Sequence, residues 1–307
     1  MPAVTANGIK IEYEEMGPKD GPVILLIMGL AAQMTLWPQP LLKAFTDAGF
    51  RVVRFDNRDI GLTQKFHGRR VVHPFLQIAA KTIGVSNLAP YTLHDMVADA
   101  IGLLDALKIK RAHLVGASMG GMIAQLMAGT HPERVASLTS IMSGTNNPRL
   151  PRPSRETMSL LLAGGTSRGG ASKEDILNRM MKVWDVIGTP ESGADKAEFR
   201  KTLDAAVTRS YYPAGVRRQL AAIIATGDLR PHIRKIAAPT LVIHGSKDPL
   251  ALVEAGIDSA RNIKGARLEV IDGMAHDLPV KFLPRIGELI IAHARSAQAT
   301  AAQSVAA

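Results

Sequence analysis

The chain has 307 residues, 46% of them hydrophobic, which is enough for one large core carrying an inserted subdomain. It contains no cysteine, which excludes a disulfide framework and a thiolate metal site, and its longest apolar run, residues 23–32, is too short to span a bilayer. The formal net charge is +10, and residues 144–236 hold 16 Lys and Arg against 9 Asp and Glu; with aromatics at only 4% and no nucleic-acid motif, solvated helix faces account for that surplus.

The first eight residues show no basic stretch followed by an apolar one, so no signal peptide is expected. Together with the absence of cysteine, this points to a cytoplasmic location. Asn7-Gly8 followed by Ile9-Lys10-Ile11-Glu12-Tyr13 predicts a hairpin turn leading into an alternating strand. The run Val23-Ile24-Leu25-Leu26-Ile27 predicts a strand covered on both faces. A helix is expected over 38–48, ending at Gly49, and a strand over 51–55, ending at Asp56-Asn57-Arg58-Asp59. Residues 64–90 read as a long loop with a short helix. Thr92-Leu93-His94-Asp95 is a capping-box variant that should open a helix running to about Leu107. A buried strand then begins at Ala112-His113-Leu114-Val115, and 135–142 predicts another.

This alternation of strand and helix argues for a mainly parallel α/β sheet. It breaks after Ser143. Residues 144–236 read as helical, with Ile176, Met180, Val183, Trp184 and Ile187 on one face and Val216, Leu220 and Ile224 on another. That segment is expected to form a helical cap over a core made of 1–143 and 237–307. The sheet resumes at Thr240-Leu241-Val242-Ile243-His244. A helix over 252–263 and a strand over 267–271 follow. A last helix is expected over 282–295, with a frayed Ala- and Gln-rich tail from Ser296.

The chemistry concentrates at Gly116-Ala117-Ser118-Met119-Gly120, between the strand and a run of apolar residues at helical spacing. Gly-x-Ser-x-Gly at a strand-to-helix turn is the context of a nucleophile elbow, where a sharp turn needs residues without a Cβ on either side of the serine. A serine nucleophile needs a neutral base near pH 7, and that base needs an acceptor on its other nitrogen. Functional groups of open α/β sheets gather at the carboxyl ends of strands. Asp248 and His276 stand there, giving a candidate catalytic set of Ser118, Asp248 and His276 in the order Ser, Asp, His. Asp228 and Asp272 are alternative acids. His244 lies only four residues before Asp248, which makes it an awkward rival base, and the remaining histidines fall on loops, surfaces or buried strand starts. The backbone N–H of Met119 is one expected oxyanion donor; Leu30, with Gly29 as the alternative, is the other, in the loop Met28-Gly29-Leu30-Ala31-Ala32.

From the strand before Met28-Gly29, through Phe55-Asp56-Asn57-Arg58-Asp59-Ile60-Gly61 and the elbow, to Asp248 and His276, the chain resembles the α/β-hydrolase-fold serine esterases with a helical cap. Within them it is most similar to the anthracycline methyl-esterase-like group. The resemblance implies a mostly parallel eight-stranded sheet and ester hydrolysis through an acyl-enzyme, with Asp56 and Arg58 structural. Many relatives carry His-Gly where this chain has Met28-Gly29, a change that makes the pocket entrance more apolar. Met28, Met34, Trp37, Met119, Met142 and Leu278 are candidates for an adaptable apolar wall around a small to medium ester. Perhydrolysis, C–C bond hydrolysis and ligand sensing remain open on the same scaffold. Dehalogenase chemistry does not fit, because the elbow residue is a serine and not an aspartate. No metal or cofactor is expected: the glycine-rich stretch 164–170 lacks the Lys-Ser/Thr ending of a phosphate loop, and no His-Glu-x-x-His occurs.

Overall fold

The computed structural model describes residues 2–69, 71–72, 76–77, 88–164, 171–190 and 196–306. Much of the loop expected over 64–90, and the glycine-rich stretch after Gly164, lie outside the described residues. Asn7 and Gly8 both take positive φ, 48° and 72°, as the two central residues of a type I′ turn must. They join β1 (Ala3–Ala6) to β2 (Ile9–Met16), an antiparallel hairpin. Next in the chain come β3 (Val23–Ile27), helix α1 (Gln39–Asp47) and β4 (Arg51–Phe55). Helix α2 (Leu93–Ala106) follows, its first turn closed by the Asp95 carboxylate, which accepts from the Thr92 N–H at 2.7 Å and the Thr92 hydroxyl at 2.9 Å. β5 (Ala112–Ala117), α3 (Met119–Thr130) and β6 (Val135–Ile141) complete the first half.

Between β6 and β7 (Thr240–Gly245) the described residues form helices and no strand: α4 (Arg155–Gly164), α5 (Lys173–Ile187), α6 (Lys196–Arg209), α7 (Pro213–Thr226) and the single turn α8 (Arg230–Ile233). The chain closes with α9 (Val253–Asn262), β8 (Arg267–Ile271) and α10 (Leu283–Ala306). The eight strands make one sheet in the order β1-β2-β4-β3-β5-β6-β7-β8, antiparallel through β1, β2 and β4 and parallel from β4 to β8.

All five residues of β3 are buried, because alternate side chains enter different layers. Leu25 and Ile27 pack with Leu93, Met96 and Ala100 of α2 and Ile123 and Leu126 of α3. Ile24 and Leu26 pack with Leu41, Leu42 and Phe45 of α1 and Ile286, Leu289 and Ile290 of α10. Each such side chain removed from water contributes about 2 kcal/mol. The register then fixes where the loops emerge. Ile27 pairs with Gly116, Ala117 with Ile141, Ile141 with Ile243, and Gly245 with Ile271. The carboxyl ends of β3, β5, β6, β7 and β8 therefore share one edge, and the segments carrying Met28, Ser118, Met142, Asp248 and His276 all leave from it.

Two expectations are corrected. α10 does not fray at Ser296 but continues to Ala306: its alanines are strong helix formers, Ala297 is buried, and the Gln298 amide reaches the His113 ring at 3.2 Å. In α7 the expected face of Val216, Leu220 and Ile224 is only half-buried. The buried face holds Gly215, Arg218, Gln219, Ala221 and Ala222, because Arg218 and Gln219 find polar partners in the core and apolar periodicity cannot register such a contact. In α5 the buried residues are Ile176, Leu177 and Met181, with Met180 and Trp184 packed beside them. Among the described residues no helix is long and apolar enough to cross a membrane.

Candidate active site

β5 ends at Ala117 and α3 begins at Met119, so Ser118 alone makes the turn. Its backbone sits at φ 54°, ψ −121°, a conformation that L-residues rarely adopt. The turn is closed by the Ser118 N–H donating to Ile141 O at 2.9 Å and by the Gly121 N–H donating back to Ser118 O at 2.9 Å. Gly116 and Gly120 let helix and sheet meet: a Cβ on Gly116 would stand 2.2 Å from Gly120 O, and one on Gly120 would stand 2.0 Å from Ile27 O. Ala31, Asp59 and Met142, in the segments after β3, β4 and β6, also take positive φ, at 64°, 69° and 43°. Left-handed non-glycine residues thus gather at the sheet edge that carries the site.

Three side chains from separate loops meet there. The Ser118 hydroxyl lies 2.9 Å from His276 Nε2, and His276 Nδ1 lies 2.7 Å from Asp248 Oδ2. Asp248 is held from the other side by two backbone donors, Leu250 N–H at 2.9 Å and Ala251 N–H at 2.8 Å, both to Oδ1. The Asp248 side chain is fully buried and that of His276 is 7% exposed, while Ser118 is partly accessible. An ionised carboxylate on Nδ1 holds the proton there and leaves the Nε2 lone pair facing the hydroxyl. Such a set can take a proton from Ser118 and return it to a leaving group. The alternative acids lie elsewhere: Asp228 pairs with Arg230 at 2.7 Å, and Asp272 accepts the Ser246 hydroxyl at 2.7 Å.

The loop after β3 forms a turn, with the Ala32 N–H donating to Gly29 O at 3.3 Å and Ala31 in the left-handed position. Gly29 packs against the serine: a Cβ on it would lie 3.1 Å from Ser118 Cβ. Met119 opens α3, in the first turn, where N–H groups have no intrahelical acceptor. Met28, Trp37 and Met142 are buried in one apolar cluster with Ala117, and Leu278 packs against it. Met34 is also buried, its N–H held by Asp56 Oδ1 at 2.9 Å, and Met119 packs on the opposite layer of the sheet.

Sequence reasoning missed the polar frame around these residues. The loop after β4 forms it: Asn57 donates to Met28 O at 2.8 Å, and Asp56 accepts from Arg209 at 2.6 Å. Arg218 forks onto both oxygens of Asp59 at 2.8 and 2.9 Å, and Arg58 onto both of Asp99 at 2.6 and 2.7 Å. Gln219 accepts the Ala31 N–H at 3.2 Å and donates to Arg58 O at 2.9 Å. His244 lies 3.5 Å from Asp248 Oδ2 and 2.6 Å from Ala251 O; burial pushes its pKa down and keeps the ring neutral. Thr189, at the end of α5, holds the carboxylate of Asp277 beside His276, and burial raises the pKa of that carboxyl. Gly-x-Ser-x-Gly advertises the elbow in the sequence, but contacts between residues 88 or 188 positions apart carry no local signal.

The sheet order, the elbow and the edge at which the three side chains meet define an α/β-hydrolase fold, and the α/β-hydrolase-fold family matches residues 22–165. The chain is similar over 96% of its length to two rhodomycin D methylesterases, DauP of Streptomyces sp. strain C5 and DnrP of Streptomyces peucetius, each 26% identical and each covered over 98%. Among solved structures, the enol-lactonase of Burkholderia xenovorans LB400 superposes with a TM-score of 0.74 at 22% identity, over 95% of this chain and 99% of that one. The methylesterase likeness supports ester hydrolysis.

Proposed function

We propose that the chain is a serine carboxylic-ester hydrolase that works through an acyl-enzyme on a small to medium, largely apolar ester. The observation that carries this reading is the continuous hydrogen-bonded path from Ser118 Oγ through His276 to Asp248, with the serine on a strained turn at the sheet edge. Ser118 attacks the ester carbonyl as His276 Nε2 takes its proton. Asp248 holds the tautomer and stabilises the imidazolium. The oxyanion is received by the Met119 N–H and by the Leu30 N–H, with Gly29 as the alternative. Each such donor contributes about 3 kcal/mol to the transition state. His276 then protonates the leaving alcohol, and water attacks the acyl-enzyme by the same path in reverse. Residues 144–236 act as a cap over a core of 1–143 and 237–307, and Met28, Met34, Trp37, Met142 and Leu278 line the apolar side of the pocket.

The test is steady-state hydrolysis of p-nitrophenyl acetate and butyrate by the wild-type chain and Ser118→Ala. The variant is expected to lose about four orders of magnitude or more in kcat, keeping only what the oxyanion donors and binding supply. Turnover near the wild-type rate would overturn the nucleophile assignment. A wild-type chain that cleaves a vinylogous C–C substrate and no ester would move the activity to C–C hydrolysis.

A further inference from the structure

We propose that Thr189 and Asp277 are positioning residues, a latch through which the helical segment 144–236 sets the His276 imidazole. The proposal rests on the esterase reading for its kinetic consequence but on geometry alone for the latch. Three consecutive residues, 275 to 277, are bonded to the end of α5. The His276 N–H donates to Ile187 O at 2.8 Å, a last-turn carbonyl that has no acceptor role inside the helix. The Ala275 N–H donates to Thr189 Oγ1 at 3.1 Å. Thr189 in turn donates its hydroxyl to Asp277 Oδ1 at 2.5 Å and its N–H to Asp277 Oδ2 at 3.0 Å. Thr189 is 3% exposed, so water cannot easily replace these partners.

From below, the loop is tied one step earlier. Gly273 N–H donates to Ser246 Oγ at 2.9 Å, and Met274 O accepts from Lys247 N–H at 2.9 Å. The core thus fixes 273 and 274, while the backbone of 275 and 276 and the side chain of 277 are fixed by the helical segment. A base must be held within about 0.5 Å of its working position, and a misplacement of about 1 Å can cost a hundredfold in rate. The helical segment therefore does more than cover the site: its docking completes it.

The experiment uses the full chain with Thr189→Val, which keeps the shape but removes both the donor and the acceptor, Thr189→Ser, which keeps them, and Asp277→Ala. Thr189→Val and Asp277→Ala are each expected to lower kcat for p-nitrophenyl acetate by about 30-fold or more, with KM within about threefold. Thr189→Ser should restore kcat to near wild type, and the double variant should be no worse than the poorer single one, since both break one unit. Asp277→Asn, which keeps size and one acceptor, replaces Asp277→Ala should the latter not fold. Hydrogen exchange of residues 272–279, read by mass spectrometry, tests the latch without any substrate and should quicken in Thr189→Val. Unchanged kcat in an active enzyme, independent losses that multiply, or unchanged exchange would overturn the latch. A wild-type chain without esterase turnover would sink the esterase reading alone, and exchange would then decide the latch.

Discussion

Asp248 shows how much one buried carboxylate must do. Its Oδ1 is taken by two backbone N–H groups and its Oδ2 by His276, so it has no capacity to turn. Replacing it with Asn keeps the shape but places either an amide N–H or a weaker, neutral acceptor against Nδ1. The amide N–H would drive the ring proton to Nε2, where it faces the serine and blocks proton uptake. Asp248→Asn is therefore expected to lower kcat for p-nitrophenyl acetate by up to about 10⁴-fold, with KM little changed, measured by steady-state kinetics. Ser118, Asp248 and His276 could be picked out in the sequence because each follows a strand and belongs to a residue type the chemistry requires. His244 could not. Four-residue spacing argued against its sharing the site with Asp248, yet the turn after β7 folds back and brings the two within 3.5 Å. Asp277 looked like an ordinary loop carboxylate, because nothing in its neighbourhood along the chain announces Thr189.

The elbow is an element-scale device. Strand, turn and helix must approach closely enough for Ser118 to stand above the sheet, and that approach is set by backbone against backbone. At Gly120 a methyl group would sit 2.0 Å from Ile27 O and 2.8 Å from Met28 O, with no flexible side chain to yield. Gly120→Ala should therefore destabilise by more than about 3 kcal/mol, or prevent folding, because it separates α3 from β3. Thermal denaturation beside Gly265→Ala, where a methyl would meet nothing within 4 Å and only the φ of 74° is strained, gives the comparison. A smaller loss at Gly120 than at Gly265 would show that the close approach is not structural. Elements of this kind are legible, since glycine spacing and apolar runs are local. The buried face of α7 is not, because an arginine and a glutamine form it and their partners, Asp59, Ala31 and Arg58, come from another layer of the fold.

At the scale of the whole molecule, His113 joins layers that the chain visits far apart. It stands in β5; its Nδ1 meets the Ser137 hydroxyl of β6 at 2.8 Å, its Nε2 meets Gln298 of α10 at 3.2 Å, and its ring packs edge-on against Phe50. Burial pushes its pKa down from 6.5 to about 4, with His293 and Arg111 adding to the shift. The unfolded chain therefore binds a proton here between about pH 6.5 and 4 that the folded chain refuses, so stability is full above 6.5 and falls as pH drops through that window. A shift of this size is worth at most about 3 kcal/mol. His293 in α10, also lowered by burial, acts in the same direction, whereas the raised Asp277 opposes it by favouring the folded state at acid pH. His113→Gln, which keeps polar atoms near Ser137 but cannot titrate, is expected to flatten the loss of thermal stability between pH 6.5 and 4. Melting temperatures of both proteins across that range decide it: parallel curves would mean that the acid sensitivity arises elsewhere, with His293 next in line. An enzyme built this way would lose its fold in mild acid through the seam between sheet and final helix, well away from Ser118, so the pH dependence of stability and that of turnover should separate when measured side by side.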